Sequence, residues 1–186
     1  MACLAPLHGG HAEAAGRRGD PRARCILGPS RDPLNHHQRS HRMLSIEDRF
    51  AIQDLYARYC ACMDTGDIKG WAGSWTEDGV FDSFQYHDGR AKIEEYGWGF
   101  MQRLLQKKWT NGQHWNNNLI VEGGGDTASA LCYLMVIGKM RDSGEMKIVI
   151  QGWYADELEK ENGQWKFKAR RVAFDTPSPA VIPKRA

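Results

Sequence analysis

The sequence predicts an α+β fold in which helices come first and strands follow. Apolar residues recur at helical spacing in residues 46–65 and again in residues 89–108. Beyond residue 113, apolar and polar residues alternate within segments that are separated by turn sequences at 123–126 and 161–163. We therefore expect a curved antiparallel sheet with the helices packed on its concave side.

Length, composition and charge fit a globular domain with a small-molecule partner. The 186 residues suit one domain, and 41% hydrophobic residues suffice for a core. The longest apolar runs, such as 130–138, have the length of a strand and are too short to cross a membrane. A formal charge of +2 gives no reason to expect a nucleic acid as partner.

The first 42 residues differ from the rest in composition. They contain seven arginines, three acidic residues and five of the seven histidines, but no aromatic residue. Such a segment cannot offset the entropy of ordering, so we expect residues 1–42 to be disordered, and 177–186 to be a loose tail. The leader is either a transit peptide or an extension upstream of a natural start at Met43, and we favour the second interpretation.

No metal or cofactor is expected. The five cysteines show no paired metal spacing, and Cys60 and Cys62 point apart on a helix. Only His87 and His114 follow the leader, and no phosphate-loop or dinucleotide motif is present. Free, reduced cysteines favour a cytoplasmic protein.

The helices are predicted from caps and periodicity. Ser45 and Asp48 resemble a capping box, and Gly66 marks the end of the first helix. The apolar stripe of that helix consists of Ile52, Leu55, Tyr56, Tyr59 and Met63. A short second helix is expected to carry Trp71 and Trp75. A third, over 89–108, is expected to face inward with Ile93, Tyr96, Phe100, Leu104 and Leu105.

Strands are predicted at 80–84, 113–122, 127–141, 147–159 and 164–174. Along the last one, alternation separates two sets of side chains. One set is Lys166, Lys168 and Arg170, and the other is Trp165, Phe167 and Arg171. Cations on a solvated face are ordinary, although an arginine near the end of the strand could also enter a cavity and orient an anion.

Two candidate functional positions lie on the first helix and on the strand of residues 113–122. Asp64 lies at the edge of the apolar stripe and Tyr59 at its centre, so both can face one cavity; a cap or solvated turn is the alternative for Asp64. Alternation puts His114, Asn116 and Asn118 on a polar face of the strand. That row lines a ligand site or faces solvent. The opposite, apolar face carries Trp115, Leu119 and Val121.

Several segments, in their order and spacing, resemble the SnoaL-like branch of the nuclear transport factor 2-like superfamily. They are 51–56, 64–67, 75–81, 114–118, 154–158 and 162–166. The resemblance covers residues 44–176 and implies that 43–176 form a SnoaL-like domain. Its fold would be cone-shaped, with the sheet wrapped around the N-terminal helices and an internal cavity.

Within this branch the chain looks most like scytalone dehydratase, hexachlorocyclohexane dehydrochlorinase and bile-acid dehydratase. The resemblance implies a lyase that removes a proton and a leaving group from a small hydrophobic cyclic substrate without a cofactor. Asp64 would hold one nitrogen of His114, and the other nitrogen would take the proton. Tyr59 would protonate the departing oxygen and Arg170 would stabilise negative charge.

Substrate-binding residues are expected around this pair. Asn116 or Asn118 would orient a substrate oxygen, and Trp75 and Phe81 would form part of an apolar wall. The second acid of the bile-acid enzyme falls near Val136, which is a departure from that enzyme.

Three further expectations follow from the resemblance. A double-bond isomerase is a close variant of the lyase. A non-catalytic binding or accessory subunit is the alternative function, because the family also contains structural members. A homo-oligomer, dimer or trimer, is expected to form through the outer face of the sheet, with Trp153 and Trp165 as candidates for the interface.

Overall fold

Three helices and six strands make up the described part of the chain, residues 43–104 and 108–175 of a computed structural model. The predictions for residues 1–42 and 177–186, and for the side chains of Leu104 and Leu105, fall outside it. The helices are α1 (Ile46–Thr65), α2 (Ile68–Ala72) and α3 (Arg90–Leu104). The strands are β1 (Trp75–Asp82), β2 (Tyr86–Asp88), β3 (Trp109–Gly124), β4 (Thr127–Met140), β5 (Met146–Glu161) and β6 (Gln164–Phe174).

The strands form one sheet in the order β2-β1-β6-β5-β4-β3. Every neighbouring pair is antiparallel except β1 and β6, which run parallel, so the expectation of an antiparallel sheet is wrong at this pair. Strands this far apart in sequence leave no local signal of their pairing. The short β2 was not predicted, and β1 begins at Trp75 because Gly73 caps α2 after five residues.

Helix α1 follows its predicted pattern. Ser45 is the N-cap and accepts a hydrogen bond from the Asp48 backbone N–H at 3.0 Å, and Gly66 ends the helix in the left-handed conformation with φ of 80°. The residues buried from α1 are those of the predicted stripe: Ile52, Leu55, Tyr56, Tyr59 and Met63. This stripe packs against an aromatic core that includes Trp71 and Phe167, both fully buried.

Helix α3 packs closely against α2 through Gly97. A Cβ at this position would lie 2.8 Å from Ile68 Cγ2 and 2.9 Å from Trp71 Cζ3. A glycine that weakens a helix in isolation therefore lets two helices approach each other here. The contact fixes the Trp71 indole in the core.

A β-bulge in β3 changes which side chains face inward. Asn117 pairs with Tyr133 of β4 but Ile120 pairs with Leu131, so β3 has one extra residue in this stretch, and Asn118 has φ of 55°. After the bulge Leu119 packs against the core while Ile120 is exposed. The predicted polar face of three residues therefore ends at Asn116, because the bulge reverses the alternation.

A second irregularity changes the inward face of β6. Leu158 of β5 pairs with Phe167 and Glu157 pairs with Ala169, which leaves Lys168 as the extra residue. Arg170 consequently shares the buried face of Phe167. The predicted set of Lys166, Lys168 and Arg170 on one face is thus wrong. Trp165 is also buried rather than available on the outer face.

Within residues 43–104 and 108–175, no helix is long and apolar enough to cross a membrane.

Candidate functional site

A carboxylate–imidazole pair joins the end of α1 to β3. Oδ1 of Asp64 lies 2.6 Å from Nδ1 of His114, and the two carboxylate oxygens accept the His114 backbone N–H at 3.2 and 3.0 Å. The exposed fractions of the Asp64 and His114 side chains are 21% and 15%. With Asp64 ionised, Nδ1 is the donor, which leaves the lone pair of Nε2 free. The predicted contact between these residues is thus present.

His114 lies on the wall of a partly open, apolar cavity of about 50 Å³. The described lining residues include no Asp, Glu, Lys or Arg. They are Tyr59, Met63, Trp71, Phe81, Ser83, Phe84, Tyr96, Phe100, His114, Leu134, Val136, Ile150, Tyr154, Val172 and Phe174.

Two tyrosines lie at the inner side of this cavity. Tyr59 and Tyr154 are 2% and 3% exposed, and their ring centroids are 5.9 Å apart. Burial raises the pKa of Tyr59, while Arg170, Tyr154 and Trp71 act in the opposite direction. Burial also raises the pKa of Tyr154. Both phenols therefore stay protonated near neutral pH.

Arg170 is placed behind these tyrosines rather than on the cavity wall. Its Nε and Nη2 donate to the two oxygens of Asp156 at 2.9 and 2.8 Å, and the Tyr56 hydroxyl donates to the same carboxylate. The Arg170 Cζ lies 4.2 Å from the Tyr59 ring centroid and 3.9 Å from that of Tyr154. Arg170 thus contacts the aromatic floor of the cavity, and its predicted contact with a leaving group is not part of this geometry.

The predicted asparagines lie outside the main cavity. Asn116 and Asn118 line an open groove between α1 and β3, together with Cys60 and one side of His114. Both polar atoms of the Asn116 amide are buried without a partner in the described part of the chain. Asn118 is exposed in the bulge.

Of the two aromatic residues predicted to form a wall, only one lines the cavity. Phe81 lines the cavity, whereas Trp75 is fully buried one layer behind it, with ring centroids 5.4 Å apart. Val136 pairs directly with His114 on the adjacent strand and also lines the cavity. The position of the expected second acid is therefore apolar.

Of the fifteen cavity residues, only Tyr59, Phe81 and His114 were predicted as site residues, and Trp71, Ser83 and Tyr154 are among the twelve that were not. Tyr154 follows the alternation of β5 and pairs with the inward Cys132, so pairing of the strands is the signal that identifies it. Ser83 follows β1 directly, and no pattern in the sequence singles it out. Among the described residues, no cluster of three His, Cys, Asp or Glu side chains is placed to hold a metal ion.

The curved sheet, the helices on its concave side and the apolar cavity between them define an α+β domain of the nuclear transport factor 2-like, or cystatin-like, class. Residues 44–171 match the SnoaL-like domain, and the chain belongs to this family. The predictions of fold class and family are confirmed.

Solved structures of similar proteins share this fold. A protein of unknown function from Mycobacterium tuberculosis is 33% identical with a TM-score of 0.61, over 69% of this chain and 72% of that chain. A nuclear transport factor 2-like protein from Novosphingobium aromaticivorans is 29% identical with a TM-score of 0.63, over 72% and 86%.

A third similar structure, from Novosphingobium aromaticivorans, is provisionally described as a scytalone dehydratase. It is 20% identical with a TM-score of 0.59, over 70% of this chain and 85% of that chain, and therefore supports the fold alone. No curated protein matches the sequence significantly.

Proposed function

We propose that this protein is a cofactor-independent lyase that acts on a small hydrophobic cyclic substrate, with double-bond isomerisation as a close variant. The observation that carries the proposal is His114 on the wall of an apolar cavity, with the Asp64 carboxylate in contact with its Nδ1. An imidazole whose tautomer is fixed by a carboxylate, and whose second nitrogen is free, is suited to take a proton from carbon.

The reaction follows from these groups. Nε2 of His114 takes a proton from a ring carbon, and the electron pair of the broken C–H bond forms a double bond to the adjacent carbon. The bond from that carbon to a hydroxyl oxygen breaks, and this oxygen takes a proton from Tyr59 and leaves as water. Asp64 stabilises the imidazolium. The proton on His114 returns to Tyr59 through solvent as the products leave.

Arg170 has a different role in this proposal from the one expected by resemblance. Held by Asp156 and packed against the Tyr59 ring, it favours negative charge on the Tyr59 oxygen without touching the substrate. Phe81 contributes to the apolar wall, and the Trp75 indole supports that wall from behind.

The proposal is tested by hydrogen–deuterium exchange at carbon, which needs no knowledge of the leaving group. Ring ketones such as 2-tetralone are incubated with the protein in D₂O, and loss of the α-proton signal is followed by NMR. The wild type should accelerate exchange. His114→Gln should remove roughly 10²–10⁴-fold of that acceleration, the usual size of a general-base contribution.

Asp64→Asn should slow exchange as well, because it removes the charge that stabilises the imidazolium. Asp54→Asn, an exposed position on the same helix, should leave exchange unchanged. Circular dichroism shows whether each variant is folded. A folded His114→Gln variant that exchanges as fast as the wild type would refute the proposal.

A non-catalytic binding or accessory subunit is the second candidate function. Val136 favours it, because the side chain paired with His114 is apolar and the cavity wall, as far as described, has no second acid. In that case the wild type would bind ring ketones, as measured by calorimetry, without accelerating exchange.

We further propose that the protein is a cytoplasmic homo-oligomer. Cys60, Cys62 and Cys132 are free thiols, as expected in a reducing compartment. The outer face of the sheet carries large exposed apolar side chains that a second copy would cover.

A further inference from the structure

Ser83 places a single unpaired hydroxyl at the edge of the cavity away from β3. It directly follows β1, in the turn to β2, where its backbone N–H donates to the Gln85 carbonyl at 3.1 Å. Its side chain lines the cavity, and its Oγ is buried without a hydrogen-bond partner in the described part of the chain. A buried hydroxyl without a partner is unfavourable, so this position stabilises a ligand that supplies the missing hydrogen bond.

The surroundings of Ser83 are aromatic. Phe84 and Phe174 stack beside it with centroids 4.1 Å apart and ring planes 8° apart, and both line the same cavity. The His87 ring, on β2, packs at a tilt of 37° against Tyr96 with centroids 4.3 Å apart, and its buried Nε2 also has no partner in the described part of the chain. Burial lowers the pKa of His87, so the neutral ring is favoured near pH 7.

The lack of charged side chains on the described cavity wall limits the kind of ligand atom that Ser83 can bind. The described residues of the cavity wall include no lysine or arginine, so a carboxylate or phosphate placed beside Ser83 would lose its hydration without gaining a counter-charge. A hydroxyl group both donates and accepts, and it therefore suits a neutral hydroxyl or carbonyl oxygen equally well.

The position of Ser83 in the sheet separates it from the carboxylate–imidazole pair. His114 is on β3, at one edge of the sheet, and β1 is four strands away. Four inter-strand spacings amount to about 19 Å along the sheet surface. Both residues line one cavity, so the curved sheet brings them closer across its concave side, and β6, β5 and β4 lie between β1 and β3 in the sheet.

We propose that Ser83 is a substrate-binding residue that hydrogen-bonds a neutral oxygen on the side of the ligand opposite to His114. The ligand class is then a ring compound, apolar over most of its surface, with a hydroxyl or carbonyl group at that far end. The claim that this ligand is a substrate rests on the proposed function. The claim that Ser83 binds such a ligand does not require turnover.

Equilibrium binding of two matched compounds tests the proposal. 2-Naphthol and 2,6-dihydroxynaphthalene share one ring system and differ by a second hydroxyl at the opposite end. By isothermal titration calorimetry, the wild type should bind the dihydroxy compound about ten-fold more tightly, as expected for one buried hydrogen bond. Ser83→Ala should remove that preference while retaining affinity for 2-naphthol.

Val172→Ala is the matched control, because it shortens an apolar side chain of the same wall. It should weaken both compounds by the same factor and leave their ratio unchanged. A preference that persists in Ser83→Ala would overturn the assignment, and so would equal binding, or no binding, of the two compounds by the wild type.

His114→Gln keeps this test separate from the proposed reaction. If His114→Gln exchanges carbon-bound hydrogen as fast as the wild type, the lyase proposal fails. If the same variant still prefers the dihydroxy compound, the Ser83 site stands. If exchange depends on His114 but Ser83→Ala keeps the preference, the Ser83 site fails alone.

Discussion

At the scale of single residues, Arg170 and Asp156 form an ion pair with no exposed side-chain surface. Removing two charges from water is unfavourable by several kcal/mol, which is compensated only by good geometry and further hydrogen bonds. Here both carboxylate oxygens accept from Arg170, and Tyr56 adds a third donor. The folded state should therefore tolerate these buried charges only while both residues are present.

Breaking this pair should destabilise the protein strongly. Arg170→Met leaves a buried, unpaired carboxylate and should lower the free energy of unfolding by about 3–5 kcal/mol. Replacing both partners, Arg170→Met with Asp156→Leu, should recover much of the loss because no buried charge remains. Urea denaturation measures both values.

The neighbouring Arg171→Met is the control for the loss of one arginine, with an expected change within about 0.5 kcal/mol. A single Arg170→Met variant as stable as the wild type would show that the ion pair does not have the buried environment described above.

Predictions for single residues succeeded where two features of the sequence independently fixed the direction of a side chain. The predicted contact of Asp64 with His114 is present because the end of α1 and the alternation along β3 fix where both side chains point. Arg170 was assigned to the wrong face because alternation was counted through Lys168, the extra residue of a bulge. Ser83 was missed because an unpaired hydroxyl is recognised only from its three-dimensional surroundings.

At the scale of elements, Asp48 ties the start of α1 to two strands. Its Oδ1 accepts hydrogen bonds from Trp165 Nε1 of β6 at 2.8 Å and from Lys160 Nζ of β5 at 2.7 Å. Its Oδ2 accepts from the Ser45 hydroxyl at 3.0 Å. The N-terminal turn of the helix thus depends on one ionised carboxylate.

Acid should weaken this anchor. Hydrogen bonds from Lys160 and Trp165 lower the pKa of Asp48 below 3.8, so the unfolded chain binds a proton more readily than the folded one. The stabilisation is fully present above the unfolded pKa and is lost as the pH falls through the folded pKa. Asp48→Asn should therefore be less stable than the wild type near neutral pH, with a difference that shrinks below about pH 4.

Urea midpoints between pH 3 and pH 7 measure the effect. Asp54→Asn, exposed on the same helix, should follow the wild type throughout. A constant difference between Asp48→Asn and the wild type over the whole range would contradict a role for the carboxylate charge.

Elements were predicted better than their irregularities. Caps and periodicity located α1, and alternation located β6 with the correct bounds. The bulge at Asn118 could not be located, because three successive asparagines, residues 116–118, tolerate the left-handed conformation equally well. Only the pairing with β4 decides which of them is the extra residue.

At the scale of the whole molecule, the outer face of the sheet remains uncovered in the described part of the chain. Trp115, Tyr133 and Ile148 are 49%, 43% and 62% exposed, and Tyr133 packs edge-on against Trp153 at 4.2 Å. Large exposed apolar groups on neighbouring strands mark an interaction surface. A second copy of the chain is the proposed partner.

Sedimentation velocity tests this assembly. The wild type should sediment as a dimer or trimer at micromolar concentration, and Tyr133→Glu combined with Ile148→Glu should shift it to the monomer, because charges on an apolar interface are unfavourable. Phe50→Glu, at an exposed position of α1, should leave the assembly intact. A monomeric wild type at high concentration would disprove the proposed interface.

The fold class was predictable because it depends on local patterns that accumulate along the chain. Turn sequences separate the strands from Gln113 onward, and their hairpins bring neighbours in sequence together. The β1–β6 pair joins residues about 90 positions apart, and no local signal encodes that choice. Periodicity indicated which side chains can face a cavity, but its shape could not be predicted, since that depends on how far the sheet curves.

The parallel pairing of β1 with β6 also bears on how the chain is made. Synthesis proceeds from the N-terminus, and β1 emerges long before its partner. Until Gln164–Phe174 has left the ribosome, β1 has no neighbour on one side and the cavity lacks a wall. Its apolar lining, including Phe81, is exposed to water during this interval. The nascent protein is therefore prone to aggregation until β6 has formed and covered these residues.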